Sequence, residues 1–199
     1  MGNKAAKLSP KTVEQLQKHM NVDFTSQEIK DWYQEYQKSL SSGETQLSRD
    51  DFKRVYDKMF SGDATSFAEQ VFRSFDINGN GYVDFQEFIV GLSISSSPNN
   101  ETKWAWAFSM YDIDGDGFIS REEMSHIMKA IFSMAEFKLP KGYKTTDEYT
   151  DDIFKSIDTN QDGLISQEEF INGAKTNPVI IDLLQPNPEA DDDNEDCYE

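Results

Sequence analysis

The sequence predicts an all-α protein built from four helix–loop–helix units paired into two lobes, and three observations lead there. The first is a repeat: Asp76–Glu87 reads DINGNGYVDFQE, Asp112–Glu123 reads DIDGDGFISREE, and Asp158–Glu169 reads DTNQDGLISQEE. Asp76 and Asp112 lie 36 positions apart, Asp158 follows 46 further on, and 36 positions before Asp76 an altered copy, LSSGETQLSRDD, runs from Leu40 to Asp51. The second is that each of these turns lies between segments whose apolar residues recur at helical spacing. The third is aromatic content: fourteen Phe, eight Tyr and three Trp, 13% in all, are too many for a disordered chain even at a net charge of −18.

The units follow in order. Ile29, Trp32, Tyr33 and Tyr36 lead into the altered first turn, and Phe52, Val55, Tyr56, Met59 and Phe60 leave it. Phe67, Val71, Phe72 and Phe75 precede the second turn, with Phe85, Phe88, Ile89 and Leu92 after it. Trp104, Phe108 and Tyr111 lead into the third, and Met124, Ile127, Met128 and Ile131 leave it. Tyr149, Ile153 and Ile157 lead into the fourth, followed by Phe170 and Ile171. The Ser-, Pro- and Asn-rich stretch Ser93–Thr102 interrupts the helical pattern and separates the lobes. An N-terminal lobe is thus expected over residues 1–96 and a C-terminal lobe over 97–184. The acidic stretch 185–199 reads as a disordered tail. The longer spacing before the last unit is taken up by Ala135–Thr146, with its Pro and Gly.

Acidic charge of this size argues against nucleic acid and for cations as partners. The one Cys, Cys197, permits no disulfide framework and fits a reducing, cytoplasmic setting. The first residues lack the apolar run of a secretory signal, and no window has the roughly 20 apolar residues of a membrane span. Catalysis is not expected. His19 and His126 have no nucleophile or carboxylate partner suggested by spacing, and Cys197 lies in the tail.

Oxygen side chains crowded onto twelve residues repel one another unless a cation sits among them. Positions 1, 3, 5, 9 and 12 of each turn supply side chains and position 7 a backbone carbonyl, a hard-oxygen set that suits calcium. In the second turn these are Asp76, Asn78, Asn80, Tyr82, Asp84 and Glu87. In the third they are Asp112, Asp114, Asp116, Phe118, Ser120 and Glu123, and in the fourth Asp158, Asn160, Asp162, Leu164, Ser166 and Glu169. The same loops admit magnesium at rest, with calcium entering during a signal. Position 6 is Gly81, Gly117 or Gly163, where the sharp turn needs glycine. The β-branched residue at position 8 (Val83, Ile119, Ile165) is placed to pair with its partner loop in a short β contact. In the first turn Leu40 stands at position 1, Thr45 at 6 and the short Asp51 at 12, and only Leu47 at position 8 keeps its role. That turn is expected to bind no ion and to serve as a packing partner for the second.

These turns, with the segments MGNKAAKL, EIKDWYQEY, FAEQVFRSFD and KWAWAFSMYDIDGDGFISREEM, resemble the neuronal calcium sensor family of EF-hand proteins and lie nearest its frequenin branch. The resemblance covers the chain from Met1 to about Leu184. It implies two EF-hand pairs in one body, with myristoylation at Gly2, although the acylation motif asks for Ser or Thr where this chain has Ala6. Lys4, Lys7 and Lys11 would support reversible attachment to anionic membrane, since one acyl chain alone binds marginally. It further implies a groove in the N-terminal lobe lined by Trp32, Tyr36, Phe52, Val55, Tyr56, Phe85, Phe88 and Leu92, with Trp106 at its edge. That groove would open with calcium to dock an amphipathic helix of a receptor, channel, kinase or cyclase. Taken singly, the residues read as core rather than groove lining, and a calcium buffer that opens little is the alternative function. A homodimer also fits. The chain departs from the family in its first turn, where Leu40-Ser41-Ser42-Gly43 replaces the usual Cys-Pro-x-Gly segment, and in its acidic tail.

Overall fold

The structure, a computed structural model, describes residues 8–19 and 24–176. Among them are α1 (Pro10–His19), α2 (Ser26–Ser39), α3 (Arg49–Met59), α4 (Thr65–Phe75), α5 (Phe85–Ser95) and α6 (Asn100–Tyr111). Then come β1 (Phe118–Ser120), α7 (Arg121–Ala135), α8 (Thr146–Ile157), β2 (Leu164–Ser166) and α9 (Gln167–Thr176). Gly2, Lys4, Lys7 and the acidic tail lie outside the described residues.

The loops and the helices that follow them share residues. Position 9 of the second and third loops is the N-cap of the outgoing helix, and position 12 is its third residue. Asp84 with Glu87, and Ser120 with Glu123, form reciprocal capping boxes, in which each side chain accepts from the other's backbone N–H. Ser166 and Glu169 exchange the same bonds at the start of α9. The altered first loop keeps the device in Ser48 and Asp51, which start α3. One local pattern thus sets both the end of the loop and the beginning of the helix.

Loops pair two by two. Leu47 and Val83 exchange backbone hydrogen bonds of 2.9 and 2.8 Å in a single antiparallel bridge. Loops three and four pair through β1 and β2, with Ile119 opposite Ile165. Val83, Ile119 and Ile165 are fully buried, so the position-8 side chains anchor each loop pair to the core beneath. Tyr36 strengthens the first pair, its hydroxyl donating to the Val83 carbonyl at 2.9 Å.

One apolar core runs from Tyr36 to Ala174 and crosses from the first two units into the last two. α4 packs against both α6 and α7, Phe75 meets the edge of Trp106 at 6.4 Å, and Gly62 donates its N–H to Met134 at the end of α7. A second cluster joins Val13 and Leu16 of α1 to Ile29 and Ile89. Burying two such side chains contributes on the order of 3–5 kcal/mol, which docks α1 onto the outside of the first lobe. Met110, Met124, Met128 and Met134 are all buried, so they pack as core.

Candidate metal centres

Each intact loop arranges its oxygens around its own backbone. The position-1 carboxylate accepts from the position-6 glycine: Asp76 from Gly81 at 2.9 Å, Asp112 from Gly117 at 3.1 Å, and Asp158 from Gly163 at 3.0 Å. The position-3 oxygen accepts from the position-5 amide, Asn78 from Asn80, Asp114 from Asp116 and Asn160 from Asp162, at 2.8 to 3.1 Å. The position-5 oxygen accepts from position 7, where Tyr82, Phe118 and Leu164 turn their side chains to solvent. Gly81, Gly117 and Gly163 have φ of 82°, 90° and 83°, a left-handed backbone that strains any residue with a Cβ. In the third loop, carboxylate oxygens of Asp112, Asp114 and Asp116 all lie within 4.8 Å of one another. Three negative charges that close favour a cation among them.

Position 12 closes the ring. Glu123 Oε1 accepts from the backbone of Ile113 at 2.8 Å and Asp114 at 3.2 Å, while Oε2 accepts from Ser120. Glu169 accepts from Thr159 and Asn160 on one oxygen and from Ser166 on the other. In the second loop, Glu87 bonds Asn78 and Asp84. Burial works to raise the pKa of Glu123 and Glu169, but these N–H and hydroxyl donors outweigh it, lowering Glu123 and holding Glu169 at about 2. Both are thus kept ionised, the form in which a carboxylate ligates a hard cation.

The first loop answers its missing ligands with an internal cation. Asp51 has 0% exposure, and its carboxylate accepts from Ser41 Oγ at 2.7 Å, from Ser48 N and Oγ at 2.8 Å each, and from the Arg54 guanidinium. Arg54 also bonds Ser41 Oγ at 3.0 Å. Burial opposes ionisation of Asp51, but Ser41, Ser48 and Arg54 together bring its pKa below the ordinary value. A side-chain cation thus stands beside the position-12 carboxylate of this loop. Sequence reasoning missed Arg54. An Arg three residues beyond a short position-12 acid was the available signal, since that spacing lets the two meet on one helix face.

The nine expected groove residues are divided by burial. Tyr36 and Phe52 are buried in the core, Tyr36 because its hydroxyl is committed to the loop pair and Phe52 because its ring packs against Phe72 and Phe75. They are not surface lining in this structure. Trp32, Val55, Tyr56, Phe85, Phe88, Leu92 and Trp106 are half-buried. Phe88 meets Trp32 at 6.3 Å, Tyr36 at 5.3 Å and Phe75 at 6.2 Å, forming a band of rings across α2, α4 and α5. The Trp106 indole nitrogen is buried without a hydrogen-bond partner. His126 is exposed on α7.

Comparison with known proteins agrees with this geometry. The "EF-hand domain pair" family matches residues 101–175, and the "EF hand domain" family matches residues 67–94. Human recoverin is 35% identical over 195 residues, covering 95% of this chain and 96% of recoverin. Neuronal calcium sensor 1 of Lymnaea stagnalis is 38% identical over 187 residues, 92% of this chain and 96% of its own. Guanylyl cyclase-activating protein 1 of Lithobates pipiens is 36% identical over 185 residues, 92% and 82% of the two chains. Similarity of this extent, together with the matched EF-hand segments, shows that the chain belongs to the neuronal calcium sensor family.

Proposed function

We propose that the protein is a calcium sensor: its second, third and fourth loops bind calcium, its first does not, and binding frees an aromatic groove that docks an amphipathic helix. The observation that carries this reading is the threefold recurrence of one oxygen frame, with position-12 glutamates held ionised in the third and fourth loops. Calcium supplies a hard cation able to accept six to eight oxygens, and magnesium fits the same donors less fully. The chain's own part is to hold Asp76, Asn78, Asn80, Asp84 and Glu87, and their counterparts in the other two loops, around that position. The carbonyls of Tyr82, Phe118 and Leu164 complete each set. Because positions 9 and 12 also cap the outgoing helix, any shift of Glu87, Glu123 or Glu169 turns α5, α7 or α9 with it.

The groove reading rests on the half-buried rings of Trp32, Phe85 and Phe88, with Trp106 packed edge-on against Phe75 beside them. The target class is a helix from a membrane-associated protein, and the name of the cyclase-activating relative makes a cyclase one candidate. Among the described residues no helix is long and apolar enough to cross a membrane. Attachment is assigned to a myristoyl group on Gly2, giving a cytoplasmic protein that associates reversibly with membrane. No catalytic role is assigned.

Fluorescence of a hydrophobic dye, titrated with calcium over constant magnesium, tests the reading. A rise with a midpoint in the ~10⁻⁷ to 10⁻⁵ M range of sensor EF-hands is expected. A flat trace with calcium bound would leave a buffer in its place.

A further inference from the structure

We propose that Arg73 couples the second loop to the third, acting as a positioning residue for a site that belongs to another unit; this rests on the reading of both loops as calcium sites. Arg73 lies in the last turn of α4, three residues before Asp76, the first residue of the second loop. Its side chain leaves its own unit. Nη2 donates to the carbonyls of Ser109 at 3.2 Å and Met110 at 3.1 Å, at the C-terminal end of α6, and Nη1 donates to the carbonyl of Ile113.

Ile113 is position 2 of the third loop. The peptide unit between Ile113 and Asp114 is therefore held at both ends, its carbonyl by Arg73 and its N–H by Glu123 Oε1 at 3.2 Å. That peptide carries Asp114, the position-3 residue, and ties it to Glu123 at position 12. The planar five-donor fork of arginine suits three converging carbonyls, and the last carbonyls of a helix attract a cation. Arg73 is partly buried, and Asp112, Glu123 and Asp114 all act on its charge.

The path from loop to loop is short and covalent at its start. Asp76 is both the C-cap of α4 and the first donor of the second loop, and its N–H bonds Phe72 one turn back. Fixing Asp76 restrains the turn that carries Arg73. A restrained Arg73 holds the Ile113–Asp114 peptide in place, so the third loop has less to order when it fills. The coupling is positive, and by linkage each loop favours the other.

Nitrogen-15 NMR of the full chain reads the loops separately through the Gly81, Gly117 and Gly163 amides, each hydrogen-bonded to its own position-1 carboxylate. Calcium is the titrant. Disabling the second loop with Glu87→Gln is expected to weaken the Gly117 midpoint by on the order of tenfold. In an Arg73→Met background the same substitution is expected to move it by less than about twofold. Arg73→Lys keeps the charge and a stable fold but cannot bridge three carbonyls, so it too should lose the coupling. Equal shifts in all backgrounds, no shift in the unaltered one, or full coupling with lysine would each overturn the proposal. A Gly117 amide that ignores calcium altogether would overturn the calcium reading as well, which separates the two failures.

Discussion

Removing Arg54 should expose what keeps the first loop closed. Asp51 is completely buried and its carboxylate has four donors, of which only Arg54 carries charge. In Arg54→Met, three neutral bonds remain around an uncompensated buried anion. Breaking a buried ion pair from one side costs roughly 3–5 kcal/mol, but the Arg54 side chain is 50% exposed, so water can reach its place. We expect a loss of about 2 kcal/mol, which for a chain of this size lowers Tm by roughly 4–8 °C. Urea denaturation followed by far-UV circular dichroism in calcium-free buffer measures it. Asp51→Asn removes the charge that needs Arg54, so the double variant should be scarcely less stable than Asp51→Asn alone. An Arg54→Met protein within about 0.5 kcal/mol of the parent, or strict additivity in the double variant, would refute the internal-cation account.

Other substitutions probe other contacts. A Cβ on Gly62 would stand 2.0 Å from the Ser133 carbonyl oxygen and 2.7 Å from that of Met134, so Gly62→Ala must part the α3–α4 connection from α7. A destabilisation of about 1–3 kcal/mol is expected in the same urea assay. Tyr36→Phe removes the hydroxyl that bonds Val83 and should cost about 1 kcal/mol, with faster hydrogen exchange at the Leu47 and Val83 amides. The pH dependence follows from Glu169, whose pKa is held at about 2 against an ordinary 4.5. A group lowered in the folded state stabilises above its unfolded value, so calcium-free stability should fall as pH drops from about 4.5 toward 2. Glu169→Gln should flatten that part of the profile.

What could be read from the sequence was local. Each acidic loop is written within twelve residues, and the repeat then places equivalent position-8 residues in partner loops, which is why Ile119 could be matched with Ile165 and Leu47 with Val83 across 46 and 36 positions. The flanking helices announced themselves through apolar spacing, whereas the caps that coincide with loop positions 9 and 12 were passed over because those residues were read only as ligands. Helix α1 was passed over, though Ser9, Pro10, Val13 and Leu16 carry its signature: Ser9 accepts from Thr12 N at 3.1 Å, and Pro10 opens the helix. Tyr36 and Phe52 could not be told from groove lining by spacing, because their burial depends on partners in other units. Arg73 was illegible for the same reason, since its three acceptors lie 36 to 40 residues away and nothing near it in sequence marks them.

The central claim is that three loops take calcium and the first, closed by Arg54, takes none. Native mass spectrometry of the full chain, titrated with calcium, counts the ions directly. The account predicts saturation at three per chain, falling to two in each of Glu87→Gln, Glu123→Gln and Glu169→Gln, and unchanged at three in Arg54→Met. Saturation at four, or a count that any one of the three glutamate substitutions leaves intact, would contradict it.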